Sequence, residues 1–166
     1  MFSARDPSDV DRFFRGLTEY AFHARLGLVD PPLVDYVSLL LVRFLRNDAA
    51  TLGSGTSPAT TDVAALLVEA AATPEPDEAR EEYRHIGDIT LFWSGLYPEA
   101  LQRPDAPARI DRLTAYRTTG KHAYRLAATL EPADAAAEKR LLEQLAEEYD
   151  LCVEGLAEVR RIWSEG

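Results

Sequence analysis

The chain has 166 residues, 46% of them hydrophobic and 28% charged, with a net charge of −10. That length and composition fit one globular domain with a substantial core. The acidic balance, with no basic stripe to offset it, argues against nucleic acid and anionic membrane surfaces as partners. The cations are almost all arginine, lysine occurring only at 121 and 139. A single cysteine, Cys152, cannot form an intrachain disulfide, and no oxidising compartment is implied. The first residues, MFSARDPSDVDRFF, lack the basic-then-apolar pattern of a signal peptide, and the apolar run near Leu40 is too short to span a bilayer. A cytoplasmic location is therefore expected.

Six or seven helices and no strand are predicted. The first covers about 8–26. Ser8 is its expected N-cap, and acids at 9 and 11 favour the positive end of the helix dipole. Val10, Phe13, Phe14, Leu17, Ala21 and Ala24 recur at helical spacing, and Gly27 is a natural stop. The second starts at Asp30, where Pro31 and Pro32 suit the first turn. Its body, LVDYVSLLLVRFL, is apolar around most of its circumference and should be buried.

Residues 47–60, rich in Gly, Ser and Thr, read as a mobile loop. Thr61 is the expected cap of a short Ala-rich helix over 62–72. A fourth helix follows Pro76 and runs over about 77–96, before Pro98 forces a turn. A fifth covers about 108–130, with a bend suggested at Gly120. The region 133–163 is helical, as one helix or as two with Asp150 capping the second. The predicted fold class is an all-α, single-domain bundle over 1–166 around a buried central helix. No internal repeat or composition shift suggests a second domain.

The segment Arg84–Pro98, RHIGDITLFWSGLYP, carries most information. Its second half is apolar nearly all round, as the middle helix of a bundle should be. Gly87, Thr90 and Ser94 fall within about 60° of one another on a 3.6-residue period, forming a shallow groove for a crossing helix. Arg84 and Asp88 share the polar strip and could form an intrahelical pair. Asp88 could instead be buried and bonded to a base from another helix, with Arg117 and Lys121 as candidates. These four residues form the expected structural polar cluster.

Catalytic and metal constellations are weak. Glu82 and His85 have the Glu-x-x-His spacing of di-iron bundles, and Glu19 with His23 could supply an imperfect half, but no second Glu-x-x-His occurs. Glu82 also reads as part of a solvated acidic first turn. The Gly-Lys of 118–122 is not a phosphate loop, because Ala115 and His122 stand where Gly and Ser or Thr are needed. No Gly-x-Ser-x-Gly elbow occurs. Cys152 lies on the apolar stripe of the last helix beside acids, which suits a small core residue better than a reactive thiolate. The aromatics Phe92, Trp93, Tyr97, Tyr116 and Tyr124 read as core before ligand pocket. No catalytic residue and no cofactor is assigned.

The run Arg84-x-x-Gly-Asp-x-x-Leu-Phe-x-x-Gly-x-x-Pro98, followed by Tyr116-x-x-x-Gly-x-x-x-Tyr124, resembles a pattern in uncharacterised bacterial proteins of similar size. The resemblance covers roughly the C-terminal half and carries no activity. It implies that Gly87, Asp88, Gly120 and Tyr124 belong to one packing unit. The expected function is a non-catalytic interaction or regulatory module, with a homo-oligomer or a protein partner. The alternative is a small-molecule or metal-binding bundle, possibly an enzyme. Trp163 and Val159 are the residues that the last helix could offer to a second copy.

Overall fold

The computed structural model describes residues 7–51, 62–101 and 112–165. Helix α1 spans Pro7–Tyr20 and runs into a π-helical turn, Ala21–Arg25. Helix α2 spans Pro31–Thr51, α3 Val63–Ala72, and α4 Pro76–Leu96. A 3-10 turn at Pro98–Leu101 follows, then α5 Arg112–Thr129, α6 Ala136–Glu147 and α7 Tyr149–Glu165. No strand occurs among the described residues. The result is an all-α, single-domain bundle around a buried central helix.

That helix is α4, which packs most extensively on α5 and α7. Tyr83, Ile86, Leu91, Phe92 and Leu96 are all buried along it. Its exit is closed by Arg160 of α7, which donates to the Leu96 carbonyl at 2.6 Å and lies over the Tyr97 ring. A cation is favourable at this negative end of the helix dipole.

The π turn corrects the expected stripe of α1. One extra residue per turn rotates everything after Tyr20, so Phe22 enters the core with no exposure while Ala24 turns outward. Leu28 donates its amide to the Phe22 carbonyl at 2.9 Å to close the turn, and Gly27 follows with φ +67. A positive φ is where glycine is favoured over residues with a Cβ. In α1, a Cβ added at Gly16 would meet no atom within 4 Å. Gly16→Ala should therefore raise stability by about 0.5–1 kcal/mol, through helix propensity alone; a raised urea midpoint checks this.

Helix α2 starts as expected, with Asp30 accepting from the Leu33 amide at 3.4 Å. It is less enclosed than expected, because Leu39 is exposed while Leu33, Val34, Val37, Leu40 and Leu41 are buried. It also continues through Thr51, so the expected loop begins later than residue 47; the remainder of that loop, and any statement about its mobility, lies outside the described residues. The cap of α3 is Asp62, whose side chain accepts from the Ala65 amide at 3.1 Å; Thr61 is outside the described residues. The start expected for the fifth helix, near 108, is outside them too.

The last region is two helices. The break falls at Glu148, which leaves helical geometry while its carbonyl accepts from the Cys152 amide at 2.9 Å to start α7. Asp150 is not the cap. It sits in the first turn of α7 and pairs with Lys121. No helix among the described residues is long and apolar enough to cross a membrane.

Candidate functional site: a buried carboxylate shared by three helices

Asp88 sits at the middle of α4 with 2% of its side chain exposed. A carboxylate that deep needs partners, since an unpaired buried charge is very costly. Three donors meet it. The Tyr36 hydroxyl of α2 and the Tyr124 hydroxyl of α5 both donate to Oδ1 at 2.7 Å. The Arg43 guanidinium of α2 donates to Oδ2 at 2.6 Å. Bonds to an ionised acceptor are roughly twice as strong as neutral ones. One side chain thus joins α2, α4 and α5.

Local sequence explains the convergence. Tyr36 and Arg43 are seven residues apart, so two turns bring both onto one face of α2. Gly87, beside Asp88, lets α5 come close: a Cβ there would lie 2.6 Å from the Tyr124 ring. Burial pushes the ionisation of both Tyr36 and Tyr124 well above the ordinary range, and the Asp88 charge adds to it. Both phenols therefore stay protonated near neutral pH and can only act as donors to this acid. Arg43 keeps 48% of its side chain exposed and forms the solvent side of the cluster. His85 stands nearby on the exposed surface of α4. Partial burial lowers its pKa; Asp88 opposes that shift and Arg43 reinforces it.

The partners differ from those expected from the sequence. Arg84 does not hold Asp88; it bonds Glu81, three residues back, at 2.6 Å. Lys121 turns to Asp150 at 2.7 Å. The base on Asp88 does come from another helix, but from α2 instead of α5. The missed signal was the pair Tyr36 and Arg43, two polar side chains at one helical phase within an apolar run. Their partner, 45 to 52 residues away, was not legible from spacing.

The residues of the resembling pattern do meet. Gly87 lies on Tyr124, Asp88 bonds Tyr124, and Gly120 packs against Thr90 and Tyr149. Gly87 and Thr90 of the expected groove receive α5, whereas Ser94 lies by Tyr149 of α7 and Gly95 faces Leu156 of α7.

The weak metal candidates do not converge. Glu82 accepts from the Thr73 hydroxyl at 2.9 Å, and Glu19 lies 3.7 Å from Arg15. His23 is exposed in the π turn. Among the described residues, no three His, Cys, Asp or Glu side chains are placed to hold a metal ion. Cys152 is buried and its thiol is pushed up to about 12, first by burial and then by Glu148 and Asp30. Such a thiol is a core residue chemically as well as sterically. The aromatics of α4 also pack on neighbours: Phe92 stacks on Phe44 at 4.9 Å and meets Trp93 edge-on.

Comparison with known proteins adds no relative: no family model, no curated protein and no solved structure matches the chain.

Proposed function

We propose that the chain is a non-catalytic protein-interaction module. The observation that supports this best is an exposed aromatic strip on α1 and α7. Phe13 and Tyr20 of α1 and Trp163 of α7 are among the large hydrophobic side chains left at the surface. Phe13 and Tyr20 are seven residues apart and share a face. Phe14 links the strip to α7, meeting Phe13 at 5.1 Å and Trp163 at 5.2 Å, both edge-on. Gly16 lies between Phe13 and Tyr20 and leaves the backbone open. Tyrosine and tryptophan at a surface are the residue types that anchor protein interfaces. The Asp88 cluster points the same way, because its donors already occupy both oxygens of the acid and bind helices together.

Val159, expected to share the surface with Trp163, is fully buried, so it belongs to the core and not to the strip. The bacterial pattern would then record packing, and a cytoplasmic setting suits an acidic chain with one buried thiol.

A second copy is the first partner to test. Sedimentation velocity on the full chain should show the average mass rising with concentration. Phe13→Glu with Trp163→Glu should hold it at the monomer, with near-native helicity retained. A strict monomer at every concentration reached, for the unsubstituted chain, would remove self-association from the proposal.

A further inference from the structure

All but one of the described helical glycines are explained by the fold around them. A Cβ at Gly87, Gly95, Gly120 or Gly155 would come to 2.6 Å or less from a side chain of another element. Gly16 is the exception. It lies inside α1, and a Cβ there would meet no atom of the described residues. Glycine inside a helix is destabilising, and no described neighbour requires this one. What such a residue permits is close approach from outside, because the side chains at a crossing set how near a second helix can come.

The side chains around Gly16 are arranged symmetrically about it. Arg12 and Tyr20 stand one turn before and after it, and so do Phe13 and Glu19. On a 3.6-residue period, Arg12 and Glu19 fall about 40–60° to one side of Gly16, and Phe13 and Tyr20 about 40–60° to the other. All five residues are exposed. The charges on this face are poorly matched within the chain. Arg15, Arg43 and Arg46, the other arginines of α1 and α2, hold Asp35, Asp88 and Asp11, whereas Arg12 holds no described acid. Glu19 has a 3.7 Å contact with Arg15, which is closer to Asp35 at 2.6 Å.

We infer that α1 pairs antiparallel with α1 of a second copy, the two helices crossing at Gly16. A two-fold axis lying across α1 in the plane of contact reverses the second helix but keeps like sides together. Arg12 then faces the partner's Glu19, Phe13 faces the partner's Tyr20, and each contact occurs twice. A parallel pairing would instead set the aromatic side against the charged side. Two chains that each carry −10 repel one another, so they meet best at a face that presents opposite charges in register. The inference rests on the reading of the aromatic strip as a self-association surface, and adds to it the crossing point and the charges that set the register.

The test is the dimer affinity of the full chain by sedimentation equilibrium at low ionic strength, where exposed charges are least screened. Arg12→Glu should weaken the dimer at least about tenfold, because it sets like charges face to face twice. Glu19→Arg should act in the same direction. The two substitutions combined only exchange the pair, and should restore the affinity to within about threefold of the unsubstituted chain. Gly16→Leu points its side chain where no described atom stands, so it should keep helicity and abolish the dimer. A dimer that withstands Gly16→Leu, or a charge exchange that fails to rescue, would overturn the crossing. In either case a monomer from Phe13→Glu with Trp163→Glu would leave the strip itself standing. A strictly monomeric unsubstituted chain would overturn the crossing together with self-association through the strip.

Discussion

Asp88→Ala is expected to destabilise the fold by about 3 kcal/mol, because it strands the buried Tyr124 hydroxyl and the partly buried Tyr36 hydroxyl at about 1–3 kcal/mol each. Arg43 adds less, since it is half exposed and can turn to water. For a domain of this size that loss lowers Tm by roughly 6–12 °C. Urea denaturation followed by circular dichroism measures it directly. A midpoint unchanged from the parent chain would show that the carboxylate is not holding α2 and α5. Arg43→Ala should cost clearly less than Asp88→Ala.

The second large effect is expected at Gly155. On helix propensity alone, Gly155→Ala would stabilise α7 by about 1 kcal/mol. Its Cβ, however, would lie 2.3 Å from two atoms of the Phe22 ring, which is itself fully buried. A ring enclosed on all sides cannot step aside, and overpacking of this kind typically costs about 1–3 kcal/mol. The overpacking should win, so Gly155→Ala lowers the urea midpoint. Phe22→Leu introduced with it should recover part of the loss, although Phe22→Leu alone destabilises. A stabilised Gly155→Ala variant would mean that Phe22 does not press on α7 as described. The contrast with Gly16→Ala, a helical glycine beside open space, is a sign difference and not one of degree.

These two sites also show what the sequence could and could not carry. The span of α4 was legible because Pro76 and Pro98 bracket it and its apolar arc is continuous. The buried stripe of α6 and α7 was legible from Leu142 to Val159 through its regular apolar spacing. Periodicity reports which face of a helix is inward, but not which helix lies opposite. Hence Arg117 and Lys121 stand out as candidate partners of Asp88 from their charge alone, and Tyr36 and Arg43, inside an apolar run, do not. The π turn was hidden for a related reason: Ala21–Arg25 fits an ordinary helical period, and the added residue shows only in the folded backbone, where Phe22 lies against Gly155. The division between α6 and α7 at Glu148 carries no proline or glycine, so no local signal chose between one helix and two.

The central claim is that Asp88 is a structural joint whose bonds to α2 and α5 hold the bundle together. The direct measurement is a double-mutant cycle of Tyr124→Phe with Asp88→Ala, read by urea denaturation. The hydroxyl of Tyr124 donates to this acid at 2.7 Å, so its removal should matter much less once Asp88 is gone. A coupling energy of about 1 kcal/mol or more is predicted, within the range for residues in direct contact. Additive losses, within about 0.3–0.5 kcal/mol, would contradict the joint.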